Sequence, residues 1–122
     1  MEVMFEIPDV FGDRVRLTRK RWNKLLEKHG EWPKMVDAFG ESGALDLIVM
    51  TISWPDRVYE GLSAPDSKVF YTAQGAVTVP GYRNCRVAVV VRYTNPPGSI
   101  STTYFPVRIS GNRGSLLYPQ ED

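Results

Sequence analysis

The sequence predicts an α+β domain, with N-terminal helices packed on one face of a mainly four-stranded antiparallel sheet. Three observations predict it. Apolar residues recur with helical spacing in the first half: Trp22, Leu25 and Leu26, then Trp32, Met35, Val36 and Phe39, then Leu45, Ile48, Val49 and Ile52. From Arg57 onward the pattern changes to short β-branched and aromatic runs punctuated by Pro and Gly. The chain has 122 residues, 43% of them hydrophobic, which suits one domain around one core. Helices first and strands afterwards is the α+β order. The predicted unit covers residues 1–109, with 110–122 as a C-terminal tail.

Each element has its own local reason. Residues 3–7 are a short strand candidate, and Pro8-Asp9 and Gly12-Asp13 supply turn chemistry. Val15-Arg-Leu17 alternates, so a small hairpin or paired lead-in to the first helix is expected. Thr18 is a good N-cap, and the helix runs to Lys28 or His29. Gly30 is expected to stop it in the left-handed conformation. Pro33 suits the first turn of a second helix, which the glycines at 40 and 43 interrupt. A third helix is expected over about residues 44–53, ended by Pro55.

Strands are expected at residues 57–60 and 68–72, with a short one at 77–79. The Val-Ala-Val-Val-Val run within residues 86–93 is the best central-strand candidate. A closing strand spans residues 100–109, where Pro106 marks an edge or a bulge.

The formal net charge of +1 is unevenly spread. Residues 14–28 hold seven Lys or Arg against one Glu, and residues 31–60 hold six acids against two bases. From residue 61 onward there are six bases against three acids. A basic stripe on a near-neutral protein can hold a polyanion locally, and it is also the ordinary pattern of a solvated helix face.

A single cysteine, Cys85, rules out an internal disulfide framework and suits a reducing compartment. Residues 1–12 are acidic and broken by Pro8 and Gly12, unlike a signal peptide. No apolar run approaches the roughly 18 residues that a membrane span needs. The expectation is a cytoplasmic protein with no membrane partner. One His and one Cys do not make a zinc site without several carboxylates. No glycine-rich phosphate loop follows a strand, and there is no Gly-x-Ser-x-Gly elbow. No metal and no cofactor are expected, and metal-free phosphodiester chemistry is the enzyme class left with support.

The only histidine gives that class its first residue. Trp22, Leu25, Leu26 and His29 fall at i, i+3, i+4 and i+7, so the imidazole ends an apolar stripe. A histidine there is either a capping or half-buried core group, or an acid or base facing a site. Imidazole side chains suit the second role. RNA cleavage also needs cations against the charge building on phosphorus. Arg57 and Arg92 are candidates for that. Arg19, Lys20, Lys24 and Lys28 on the basic helix, with Lys68, are candidates for RNA binding. Strand alternation puts Lys68 and Phe70 on one face and Tyr71 on the other.

Several short motifs follow one another in order: Val15-Arg-Leu-Thr-x3-Trp22, Leu26-x2-His29-x-Glu31, Ile52-x2-Pro55-Asp56-x-Val58, Phe70-Tyr71, Val87-Ala-Val-Val-Val91 and Gly98-x-Ile-x-Thr-Thr-Tyr104. Over about residues 3–107 this set resembles small phage- and bacteria-encoded domains, the barnase–EndoU–colicin–RelE-like (BECR) nucleases. The resemblance implies helices on a four-stranded antiparallel sheet and a metal-independent RNase-type site on the sheet face. By position it implies His29 as the family's helical histidine, Tyr71 as the second aromatic of its central strand and Thr102 as the threonine of its last strand. Gly30 stands where that family commonly has proline, and residues 32–43 read as an insertion.

Two functions are therefore expected. The first is a ribonuclease acting by attack of the RNA 2′-hydroxyl with acid/base catalysis, as a toxin or phage effector with a neutralising protein partner. The second is a non-catalytic module that binds RNA or a protein through its basic face.

Overall fold

The computed structural model describes residues 1–62, 66–78, 84–109 and 114–120. Strands β1 (Val3–Pro8) and β2 (Arg14–Thr18) form an antiparallel hairpin. Helices α1 (Arg19–Lys28) and α2 (Glu31–Ser53) follow. Strands β3 (Arg57–Glu60), β4 (Ser67–Tyr71), β7 (Ala88–Arg92), β8 (Gly98–Tyr104) and β9 (Leu116–Tyr118) complete the main sheet. Between β4 and β7, the short strands β5 (Val77–Thr78) and β6 (Asn84–Cys85) pair only with each other.

The main sheet has seven strands in the order β1-β2-β8-β7-β4-β3-β9. It is mixed, because β2 runs parallel to β8. This overturns the expected four-stranded antiparallel sheet behind N-terminal helices. The helices number two among the described residues, and a hairpin precedes them. The physical reason is that long-range pairing leaves no local pattern. The hairpin joins the sheet through only two residue pairs, Val15↔Gly98 and Arg16↔Ser99. Strand β9, inside the stretch expected to be a tail, pairs with β3 through Val58↔Tyr118 and Tyr59↔Leu116.

The helices also differ in detail. The Thr18 hydroxyl caps α1 by accepting from the Arg21 N–H at 3.2 Å. The helix ends on His29 in an extended conformation, φ −121° and ψ 98°. Gly30 is right-handed, φ −60° and ψ −18°, and leads into α2 rather than terminating α1 on the left-handed side. The second and third predicted helices form one 23-residue element with a kink at Gly40. That residue has φ 78° and ψ 166°, a region open essentially to glycine alone.

The core lies between the helices and one face of the sheet. Trp22, Leu25, Trp32, Met35, Ala44, Ile48 and Ile52 pack there against Val15, Leu17, Val58, Phe70, Val89, Val91 and Ile100. Register explains which strand residues face inward, since Val58, Phe70 and Val89 stand opposite one another on successive strands. The alternate residues Tyr59, Val69, Tyr71 and Ala88 form a second cluster on the outer face, and Tyr104, Ile109 and Leu116 pack onto it.

The β1–β2 turn fastens the hairpin across the sheet. Buried Asp9 accepts hydrogen bonds from the N–H groups of Phe11 at 2.8 Å and Asp13 at 2.9 Å, and from the Tyr93 hydroxyl at 2.6 Å. Burial, then the Asp9 hydrogen bond, pushes the Tyr93 phenol above its ordinary range. The Phe11 ring meets Phe70 at 6.4 Å and Tyr118 of β9 at 6.3 Å. The hairpin therefore belongs to one edge of the sheet while its tip touches the other, so the sheet is strongly coiled. Among the described residues, no helix is long and apolar enough to cross a membrane.

Candidate functional site

Helix α1 lies against β2 and β8. Because β2 pairs with β8 only as far as Ser99, residues beyond it on that edge of β8 face α1 instead of a strand. The helix is anchored by buried Trp22 and Leu25, and Trp22 packs edge-on against Trp32 at 5.8 Å. Its last turn delivers His29 to β8. The His29 N–H donates to the Leu25 carbonyl at 3.0 Å, and the His29 carbonyl accepts from the Trp32 N–H at 3.1 Å. Both backbone groups are tied, which fixes the backbone from which the ring projects.

The half-buried His29 ring meets half-buried Thr102, with Nε2 and Oγ1 3.0 Å apart. In one tautomer the hydroxyl donates to Nε2, and in the other Nε2–H donates to the hydroxyl. The strand is irregular at this point. Val90 stands opposite Thr102 and Val91 opposite Ile100, so Ser101 is an extra residue, a β-bulge. Bulges re-aim neighbouring side chains and recur beside active sites. Gly98 starts the strand where a Cβ would meet the Tyr93 ring at 2.8 Å, so only glycine fits that approach.

The other candidates separate into groups. Tyr71 is on the same outer face as Thr102 but two strands away, about 10 Å across the sheet. It is 2% exposed and packs against Tyr59 with ring centroids 6.1 Å apart. The structure does not bring it to His29. Arg57 stands opposite Tyr71, exposed, 3.8 Å from Asp56. Arg92 is exposed opposite Ser99 on β8, near the α1 groove.

Of the basic candidates, Lys20, Lys24 and Lys28 are exposed along α1. Arg19 is engaged by Glu41 at 3.2 Å and Glu2 at 3.4 Å. Lys68 lies away from the helix, over the rings of Phe11 at 4.3 Å and Tyr93 at 4.8 Å and 3.7 Å from Asp13.

A cavity of about 810 Å³ opens beside Lys68, at the other end of β8 from Thr102. Its rim carries Glu6, Asp13, Glu60 and Asp66 against Arg14 and Lys68. That excess of carboxylates repels a polyanion, so size does not make it the RNA site. A smaller cavity of about 300 Å³ lies between α1 and β8, bordered by Arg21 and Arg92. Arg21 was not singled out by sequence reasoning. Its signal, a third consecutive cation in the first turn of a helix, was present in the Arg19-Lys-Arg21 run. Among the described residues, no group of three or more His, Cys, Asp or Glu could hold a metal ion.

No protein-family model matches this chain, and neither a curated protein nor a solved structure matches it.

Proposed function

We propose that this chain is a ribonuclease that cleaves single-stranded RNA without a metal, using His29 and Thr102 on the edge of β8. The observation that carries the reading is the 3.0 Å approach of the sole imidazole to a strand hydroxyl at the end of a cationic helix. The resemblance to BECR nucleases implies both of these residues, together with Tyr71, from motif order alone.

The chemistry follows from the pair. The RNA 2′-oxygen loses a proton to His29 and attacks the adjacent phosphorus. The bond from phosphorus to the 5′-oxygen breaks, and that oxygen takes up a proton from solvent water. The products are a 2′,3′-cyclic phosphate and a 5′-hydroxyl. Thr102 holds the ring in one orientation, and losing such positioning costs up to about 10²-fold in rate. Lys24 and Lys28 draw the polyanion to the helix edge.

The test is digestion of a single-stranded RNA by the purified protein in EDTA. His29→Ala should lower the rate by about 10²–10⁴-fold, the usual worth of an acid/base group. Thr102→Val should lower it by about 10–100-fold, with Thr102→Ser restoring most of it. Undiminished cleavage by His29→Ala removes the imidazole from the mechanism.

The burial of Tyr71 favours a second reading, a non-catalytic RNA-binding module, because it withdraws one of three residues that the resemblance places in the site. That reading predicts salt-dependent RNA binding with no turnover by the wild-type protein.

A further inference from the structure

We propose that the cavity between α1 and β8 is a phosphate subsite for the RNA backbone, in which Arg21 and Arg92 grip a diester next to the one at His29. The proposal rests on the RNA-directed reading above and deepens it, since it names the group that positions the substrate.

The cavity has about 300 Å³ and is lined by Arg21, Arg92, Thr94, Asn95, Ser99 and Ser101. Every one of these side chains can donate a hydrogen bond, and two carry full positive charge. No carboxylate borders it among the described residues. The two arginines come from different elements, α1 and β7, so their convergence is a product of the tertiary fold. Among the described residues, neither guanidinium has an ion pair, whereas Arg14, Arg16, Arg19, Arg57 and Arg86 all do. A planar guanidinium is well matched to phosphate oxygens.

Helix electrostatics sharpen the case. The first turn of α1 carries Arg19, Lys20 and Arg21 and no acid. Helix stability favours Asp or Glu there, because the helix dipole is positive at that end. Arg19 is offset by Glu2 and Glu41. Arg21 adds to the dipole unopposed, which makes the groove attractive to an anion.

Position links the cavity to the reacting pair. Arg21 and His29 are eight residues apart on one helix, about 12 Å along its axis. Ser99, opposite Arg92, is three residues before Thr102 on β8. A strand of RNA laid in the α1–β8 groove therefore meets the arginines at one end and His29 with Thr102 at the other. Lys24 and Lys28 follow Arg21 at i+3 and i+7 and border the same path.

The experiment measures binding of a fluorescent 2′-O-methyl decanucleotide, which lacks the attacking hydroxyl and is not cleaved. Anisotropy is followed from 50 to 200 mM salt. The Arg21→Gln/Arg92→Gln double variant should bind at least 10-fold more weakly at low salt. Its log–log salt slope should flatten by about 0.7, the value for one single-strand phosphate contact. An independent variant, Ser99→Asp, sets a carboxylate opposite Arg92 and should weaken binding in the same direction. Thermal melting of each variant confirms folding.

Binding within twofold of wild type by both folded variants overturns the subsite. A parallel titration with inorganic phosphate separates the sources of the anion. Saturation of the arginine side-chain signals by free phosphate at or below the oligonucleotide's Kd makes this a free-anion site and overturns the backbone assignment. Failure of the parent reading shows separately, as wild-type binding without RNA cleavage, and that result leaves the subsite standing.

Discussion

A carboxylate at the hairpin edge shows how a single residue couples charge to fold. The Glu6 carboxylate accepts from Arg16 Nε at 2.6 Å and lies 3.4 Å from Arg14 Nε. The Arg16 hydrogen bond, more than any other influence, holds the Glu6 carboxyl below its ordinary value of 4.5. A carboxyl with a depressed folded pKa stabilises the fold above its unfolded value, and that contribution is lost as pH falls through the folded value. Glu6→Gln should therefore lower the melting temperature slightly at pH 7, where the paired carboxylate contributes, and converge with wild type as pH falls below about 4.5, which flattens the acid limb. Identical acid limbs for the two proteins would remove Glu6 from the acid response. Legibility at this scale depended on the reach of each side chain. Thr18 as a cap and His29 as the end of an apolar stripe were visible, because both act within one or two helical turns. The Glu6–Arg16 pair, the Arg21–Arg92 cavity and the 3.0 Å contact of His29 with Thr102 join different elements, so spacing along the chain does not encode them.

At the scale of the element, periodicity was a dependable guide and punctuation was a weaker one. Strands β1, β3, β4 and β7 lie where alternation and apolar runs predicted them, and α1 runs from its Thr18 cap to Lys28. The errors fall on glycines. Gly30 is right-handed, because the chain has already left the helix at His29, and Gly40 bends α2 without ending it. Gly40 has φ 78° and ψ 166°, and nothing lies within 4 Å of a Cβ placed there. Space is therefore not the obstacle to a side chain at that position, and backbone strain is. Gly40→Ala should destabilise the protein by about 1–3 kcal/mol, in contrast to the gain that Gly→Ala gives at an ordinary helical position. Urea unfolding measures this directly. A stability equal to or above wild type would mean that α2 can straighten through residue 40 at no cost.

At the scale of the molecule, the topology was hidden because it is made by weakly patterned ends. A parallel β2–β8 join of two residue pairs and a three-residue β9 convert the expected sheet into a seven-stranded mixed one. The C-terminal strand bears on more than one part of that assembly. Beyond the β3 ladder, the Glu60 N–H donates to the Ser115 carbonyl and the Gly114 N–H to the Glu60 carbonyl, each at 2.9 Å. Leu116 packs on the outer cluster that contains Tyr59 and Tyr71, and Tyr118 meets the hairpin residue Phe11. A chain ending at Ile109 loses all of these contacts together. It leaves β3 as an unpaired edge, strips cover from two tyrosines and frees one side of the hairpin tip. Unpaired edges recruit other chains. The shortened protein should therefore melt at a lower temperature and form concentration-dependent aggregates, seen by light scattering. A milder pair, Leu116→Ala/Tyr118→Ala, keeps the backbone ladder and separates packing from pairing. It should lower stability by several kcal/mol without the concentration-dependent aggregation, as large-to-small changes at packed sites do. If residues 1–109 instead melt cooperatively at the wild-type temperature, the sheet is complete without β9 and the hairpin tip does not need Tyr118 to hold it.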